Sequence, residues 1–594
     1  MSRIKLAFPR VGLALAAGLV LAECGLTVRG FMNTFGAGGI ALELGESFLI
    51  YAIPAMALDL LAQALAPAPW KRSLLVRGLP IMVLAFLAVH SCAMVSTLAY
   101  AIVPVAALWA LSTRSRWTIL LAVATAFWSL RPAWPSRPLS RTRPAAAVPS
   151  GPSVVVVVLD TVRRDHCSTY GYARETTANL TALAARGVRF DRAYTSSCWS
   201  IPTHASLFTG LLSSQHGADM ETFRLGRSQA TLATLLAARG YETAGFSANP
   251  YIASGTGFSQ GFSHFEEDWR PPTLGRLLVA KQLWRRLRGS EVDKGGAAVV
   301  TGVKRWFEAR DKNRPYFLFV NFMEAHAPYQ DVPRRFQRAW LDPKLSAREI
   351  EKLGAFTHEA QWTGARVAQA DLPGSLDLLD GATAAADSYL GQVLATVGED
   401  VIVVALSDHG ELVGEHSFFG HMTGLYEPLL RVPMVLAGPG VPRGQAVSAL
   451  VSIMDLYPTL AQLAGAQPPP STGIDLLPIL LGTAPAPEAR LIRAEHFRTL
   501  QATQDWYLHR SAEELRSIRS RRGATVGEGV KRVVAENGED LGYDLTADAA
   551  EDKPFAGALT GLPAAVPSFA GAPVAPPEMD PAQIEALKAL GYNH

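Results

Sequence analysis

Three side chains able to ligate a metal follow runs of apolar residues. Asp160 follows Ser153–Leu159 (SVVVVVL), and Asp408 with His409 follows Val401–Leu406 (VIVVAL). Two carboxylates and an imidazole drawn from distant segments form the oxygen and nitrogen donor set of a divalent cation. A single Asp at such a point serves equally well as a helix N-cap, whereas three residues on one rim favour a metal. A nucleophile is also at hand in Trp199-Ser200-Ile201-Pro202-Thr203-His204. Pro202 suits the first position of a helix, which predicts Ser200 just ahead of a helix N-terminus. Backbone N–H groups there stabilise an anionic ester oxygen, and a nearby cation lowers a serine pKa. Taken alone, Ser200 reads as well as a simple helix cap.

These residues need a scaffold. The run Ser153–Leu159 is continuous and β-branched, as a strand buried on both faces of a parallel sheet requires, and Tyr316–Phe322 (YFLFVNF) and Val401–Leu406 repeat the pattern. Helical patterns alternate with them at Thr177–Ala185, Ala205–Leu212, Thr231–Arg239 and Asp377–Val397. That alternation predicts an α/β domain with a mostly parallel central sheet flanked by helices. Ligands of such sheets bind beyond the carboxyl ends of the strands, which is where Asp160, Asp408 and the Met323-Glu324-Ala325-His326 segment fall.

The segment SIPTHASLFTG (Ser200–Gly210) resembles the sulfatase signature, in which a Cys or Ser is followed two residues later by Pro and then by a short helix ending Thr-Gly. LDTVRRDHCSTYGY (Leu159–Tyr172) and SDHGELVGEHSFFGHMTGLYEPLLRVPMVLAGPG (Ser407–Gly440) resemble the two metal-binding segments of that family. NFMEAHAPY (Asn321–Tyr329) resembles the segment carrying an active-site histidine, and MDLYPTLAQLAG and the terminal LKALGY fit as well. The resemblance implies an alkaline-phosphatase-like fold, with a smaller C-terminal α+β subdomain. It implies Asp160, Asp408 and His409 as ligands of one divalent ion, and Ser200 as the nucleophile or its formylglycine precursor. By the same resemblance His326 and His421 contact the ester's anionic oxygens or the leaving group; His204 is a further substrate-binding candidate, and His216, in SQHG after the helix, a weaker one.

Three departures bear on the chemistry. Thr161 follows Asp160 where the family has paired aspartates. Asp408-His409 stands where calcium-binding sulfatases have Asp-Asn, which suits manganese or zinc better than calcium. His204 replaces the arginine that assists formylglycine formation, which favours an unmodified Ser200 attacking directly.

The front of the chain has another character. Hydrophobic residues make up 49% of the sequence and mean hydropathy is +0.15. Apolar runs cover Val11–Val28, Ser47–Ala66, Gly78–His90, Met94–Leu111 and Trp117–Leu130, several near the ~20 residues of a spanning helix. Basic clusters at Arg3/Lys5/Arg10, Lys71/Arg72/Arg77 and Arg114/Arg116 are all cytoplasmic if there are five spans, which places the rest of the chain outside the cytoplasmic membrane. With several spans following, the first run is not expected to be a cleaved signal peptide. Glu23 before Cys24 argues against a lipid anchor. The expected organisation is a transmembrane region at 1–133, a Pro/Arg-rich linker at 134–152, a catalytic domain at 153–466 and a smaller subdomain at 467–594. A charged stretch at His509–Gly523 is expected to be a solvated surface helix, and a terminal helix is expected over Pro581–Leu590.

Up to Ala133 the chain holds ten Lys/Arg and four acidic residues; taken from totals of 55 and 52, this leaves 45 basic against 48 acidic residues beyond it. The formal charge of +3 is therefore a membrane-flank effect, and no clustered basic face marks a nucleic-acid partner. An oxidising compartment would permit a Cys167–Cys198 disulfide, though two cysteines make no framework.

The expected reaction is hydrolysis of a sulfate ester on a glycan, lipid or small molecule. Phosphoester hydrolysis, or phosphoethanolamine- or phosphoglycerol-type transfer to envelope lipids or glycans, is the rival within the enzyme class. An inactive membrane scaffold is the rival outside it, and the intact set of Asp160, Ser200, Asp408 and His409 argues against that.

Overall fold

Six consecutive buried residues, Val154–Leu159, form β1. Alternate side chains of β1 enter different cores: Val154, Val156 and Val158 join one cluster, and Val155, Val157 and Leu159 the other. The unbroken β-branched run is thus explained by burial on both faces, at about 1.5–3 kcal/mol for each side chain removed from water. The computed structural model describes residues 151–556, apart from 220–221, 270–292, 364–371, 498–516 and 518–519, together with 562–563, 565–568 and 583. The expected spans, most of the linker and nearly all of the terminal helix lie outside the described residues. Among the described residues no helix is long and apolar enough to cross a membrane.

Eight strands form the central sheet: β1, β2 (Gly187–Tyr194), β3 (Glu242–Ser247), β4 (His264–Glu267), β5 (Tyr316–Phe322), β6 (Ile402–Leu406), β9 (Met434–Ala437) and β10 (Gln445–Ser452). A short hairpin, β7 (Leu412–Val413) with β8 (Phe419–Gly420), lies between β6 and β9 in sequence. The spatial order is β10-β2-β9-β6-β1-β5-β3-β4. Pairing is parallel except at β9, which runs antiparallel to both β2 and β6. The mostly parallel sheet expected from the sequence is present, and β5 has the predicted bounds.

Helices cover both faces. Ser200–Thr209 (α2), Leu232–Ala238 (α3) and Leu456–Leu463 (α6) pack on the face of Val156. Ala178–Ala185 (α1), Gly296–Ala309 (α4) and Leu372–Val397 (α5) pack on the face of Val157. The helix expected at Ala205–Leu212 begins at Ser200 and ends at Thr209, where Gly210 takes a left-handed conformation at φ 69° that ends the helix.

Beyond the central sheet, β11 (Ile492–His496), β12 (Arg522–Val526), β13 (Val530–Ala535), β14 (Asp540–Asp544) and β15 (Phe555–Ala556) form an antiparallel sheet in sequence order. Arg522 and Gly523, expected in a surface helix, belong instead to β12, where they pair with Ala535 and Val534. The charge pattern misled there because Arg522 is held inside by Glu539 and Ser517. The small sheet is tied to the large one by Glu495 N–H, which donates to the Ser196 carbonyl at 2.8 Å.

Candidate active site

Strand register sets the site. Val158 pairs with Asn321 of β5 and with Leu406 of β6, so these strands end level. The Asp160 N–H continues the ladder to the Phe322 carbonyl at 2.9 Å. Asp160, Asp408 and His409 therefore emerge on one rim, all three fully buried. One ligand atom from each lies within 4.8 Å of the others. Gly410, next in the chain, allows a close approach: a Cβ there would stand 1.8 Å from the Pro428 carbonyl oxygen.

The two oxygens of Asp160 differ. Oδ2 accepts from Asn249 Nδ2 at 2.7 Å and from Asn321 Nδ2 at 3.3 Å, while Oδ1 is buried with no hydrogen-bond partner. A buried unpartnered carboxylate oxygen is costly unless a cation meets it. Burial, reinforced by the Asp408 charge, pushes the Asp160 carboxyl up to about 7, and burial alone does the same to Asp408. His409 donates from Nδ1 to the Gly410 carbonyl at 2.9 Å, which leaves its Nε2 lone pair to act as a ligand. Two carboxylates, one of them with an orphaned oxygen, and one oriented imidazole fit a divalent cation.

Ser200 meets this group. Its Oγ lies 3.5 Å from Asp160 Oδ2 and 3.5 Å from His409 Nε2, and it accepts from Asn249 Nδ2 at 3.0 Å. Ser200 is the first residue of α2 rather than the residue ahead of it, and Trp199 is an N-cap without a side-chain hydrogen bond. Thr161 turns left-handed at φ 59°, and its N–H donates to Asp408 Oδ1 at 3.4 Å. Sparsely populated backbone of this kind gathers at functional sites.

His326 and His421 lie on the His409 side of the cluster. The ring centroids of His409 and His421 are 4.5 Å apart, and those of His421 and His326 are 5.0 Å apart. His326 donates from Nδ1 to the Ala327 carbonyl at 2.6 Å, and His421 Nδ1 lies 3.2 Å from Glu411 Oε1. Burial holds His326 neutral, with its pKa down to about 3, and lowers that of His421 well below the usual imidazole value. An arriving anionic ester favours the protonated form of either ring.

The other two histidines stand differently. His204 is fully buried; its Nδ1 donates to the Ser200 carbonyl at 2.8 Å, and its Nε2 accepts from Asn321 at 3.3 Å. In buried His216, Nε2 meets Ser206 Oγ at 3.1 Å and Nδ1 accepts from the Ala218 N–H at 3.0 Å. Both rings have their nitrogens occupied within the protein, so they brace α2 rather than offer a nitrogen to substrate. Cys167 and Cys198 are both free thiols, buried in separate clusters. The disulfide weighed from the sequence is not formed.

Asn249, Glu411 and Tyr329 escaped the sequence reading. The Tyr329 hydroxyl donates to Glu411 Oε2 at 2.8 Å, which steadies the carboxylate beside His421. The one available signal for Asn249 was the Asn-Pro dipeptide after β3, a strand whose Gly, Ala and Ser content hid it.

The sulfatase family model matches residues 152–466. The chain is 26% identical over 353 residues to the uncharacterized sulfatase YidJ of Escherichia coli, covering 54% of this chain and 69% of that protein. It is 25% identical over 368 residues to arylsulfatase K of Canis lupus familiaris, covering 56% of this chain and 67% of that one. Among solved structures, the phosphonate monoester hydrolase of Agrobacterium radiobacter shares the fold at a TM-score of 0.54 and 24% identity, covering 68% of this chain and 91% of that chain. With more than half of its length matched by the family model and a candidate metal-ligand group on the expected rim, the chain belongs to the sulfatase family and is a hydrolase.

Proposed function

We propose that this protein is a divalent-metal-dependent sulfatase in which Ser200 is the nucleophile. The observation that carries the reading is the position of Ser200 Oγ, 3.5 Å from both Asp160 Oδ2 and His409 Nε2. Asp160, Asp408 and His409 would hold the metal, which would be manganese, zinc or calcium. The ion supplies Lewis-acid stabilisation of charge on the sulfuryl group, worth several kcal/mol in a dry site, on the order of what one preorganised donor gives. Ser200 passes its hydroxyl proton to Asp160 Oδ2, 3.5 Å from its Oγ, and forms an O–S bond as the ester S–O bond breaks. The departing oxygen takes a proton from His326 or His421, once the anionic ester has raised the pKa of that ring. Water then attacks the sulfur, its oxygen leaves with sulfate as the Ser200 O–S bond breaks, and the proton held by Asp160 returns to Ser200 Oγ.

His204 supports the unmodified serine. It stands where the family motif has arginine, and its ring is committed to the Ser200 carbonyl and Asn321. A direct serine nucleophile serves phosphorus as well as sulfur, so hydrolysis or transfer of a phosphoester is the second reading. The substrate is a sulfated glycan, lipid or small molecule. The apolar runs and basic clusters before Ala133 support a catalytic domain tethered on the outer side of the cytoplasmic membrane. Protease treatment of intact spheroplasts should therefore cleave it.

The deciding experiment is mass spectrometry of the Ser200 peptide from the native host, paired with turnover of an aryl sulfate and an aryl phosphate ester. An unmodified mass with preferred aryl sulfate turnover upholds the proposal. A loss of about two mass units, the signature of serine oxidised to formylglycine, would replace the direct mechanism. Preferred phosphate-ester turnover would install the second reading.

A further inference from the structure

Asn249 touches the two oxygens on which a serine mechanism depends. It follows β3, whose last residue, Ser247, pairs with Asn321 of β5. The orientation of its carboxamide is determined by its surroundings. Oδ1 accepts from the Tyr251 N–H at 2.8 Å, closing a turn across Pro250. The Asn249 N–H and carbonyl are both bonded to Ser247 Oγ at 3.1 Å. With Oδ1 committed, Nδ2 must face inward, where it donates to Asp160 Oδ2 at 2.7 Å and to Ser200 Oγ at 3.0 Å. The reverse orientation would set an amide oxygen against the Asp160 carboxylate. The residue is buried, so no water competes for either bond.

We propose that Asn249 is a further catalytic residue, a fixed donor that stabilises the Ser200 alkoxide while holding Asp160 by the oxygen that the metal does not need. This rests on Ser200 being the nucleophile. A hydrogen bond to the charged form of a group favours that form, and this donor is already in place before reaction. Its second bond engages Asp160 Oδ2 and leaves the unpartnered Oδ1 to the cation. One carboxamide therefore separates the two tasks of that aspartate. It also fixes the distance between nucleophile and metal ligand, because both accept from the same nitrogen.

The test compares Asn249→Asp, Asn249→Ala and Ser200→Ala with the wild-type full chain. Asn249→Asp keeps an acceptor for the Tyr251 N–H, and so keeps the turn, while replacing the inward donor with an acceptor. Asn249→Ala removes both. Readouts are kcat and KM on the ester that the wild type turns over, bound divalent metal by elemental analysis, and the melting temperature. Both Asn249 variants should lose about 10²–10³-fold in kcat, the cost of removing one preorganised donor, with KM within about threefold and metal content unchanged. Turnover near the wild-type rate in either Asn249 variant, with Ser200→Ala inactive, overturns the role of Asn249 alone. So does a loss of kcat that excess metal fully restores, since Asn249 would then act only through Asp160. Turnover that survives Ser200→Ala overturns the nucleophile assignment and this proposal with it.

Discussion

Ser200 Oγ and His409 Nε2 stand 3.5 Å apart although 209 positions separate them in the chain. The first comes from the opening residue of α2 and the second from the turn after β6. His409 is held by its Nδ1 donation to the Gly410 carbonyl at 2.9 Å, so its Nε2 faces the serine as a ligand or acceptor. The link between them is the candidate metal-ligand group, because Asp160 Oδ1 lies 4.0 Å from the same nitrogen.

Chelation should abolish turnover. Dialysis against a strong chelator is expected to remove at least about 100-fold of the ester hydrolase activity, and a divalent salt should restore it. His409→Ala should raise the metal concentration needed for half-restoration, read by titration of activity and by elemental analysis. Full activity in metal-free protein would remove the assignment of Asp160, Asp408 and His409.

Protons should move with the metal. Asp160 and Asp408 are both raised to about 7 in the folded, metal-free protein, above the value of about 4 expected in the unfolded chain. Between these values the native state holds more protons than the unfolded one, so this pair's contribution to stability falls as pH rises from about 4 to about 7 and then levels off. Metal-free protein should gain in melting temperature on going from pH 7 to pH 5, relative to an Asp160→Asn, Asp408→Asn variant. Metal binding at neutral pH should release protons, measurable by calorimetry in buffers of different ionisation enthalpy.

The ring that protonates the departing oxygen can be identified by leaving group. Replacing a general acid costs about 10²–10⁴-fold on a poor leaving group and little on an activated one. His326→Ala and His421→Ala, assayed on a nitrophenyl ester and an alkyl ester, should differ in this ratio. Tyr329→Phe should follow His421→Ala in direction, because the tyrosine and His421 both contact the Glu411 carboxylate. Equal losses on both esters would assign these histidines to substrate binding alone.

Stability should be sensitive at Lys531, far from β6 in sequence. Its ammonium is fully buried, donates to the Leu425 carbonyl at 2.9 Å and pairs with Glu427 and Glu551. Glu427 also accepts from Tyr194, on β2 of the large sheet, at 3.0 Å. Lys531→Met leaves two buried carboxylates without a cation and should cost about 3–5 kcal/mol, read as a shift in the urea midpoint. A change within the error of the midpoint would show that water or a neighbouring group takes over the charge.

What the sequence determined by itself was the scaffold and the grouping of the candidate metal ligands on one rim. β1, β5 and β6 were legible because a strand buried on both faces must be apolar at every position, and their shortness and β-branched or aromatic content separate them from a buried helix. Asp160, Asp408 and His409 were legible because a polar residue ending such a run falls at the rim where parallel sheets bind ligands. The tertiary structure decided what depends on neighbours distant in sequence. β9 runs antiparallel, and the alternation of strands and helices does not encode its direction. His204 turned out to be a brace, since only the fold brings Asn321 to its Nε2 and occupies both nitrogens. Arg522 entered a strand because Glu539 and Ser517 satisfy its charge there. Asn249 acquired its place because β3 ends level with Asn321, and a short polar side chain carries no signature of what will stand 3 Å away until the sheet has aligned the strands.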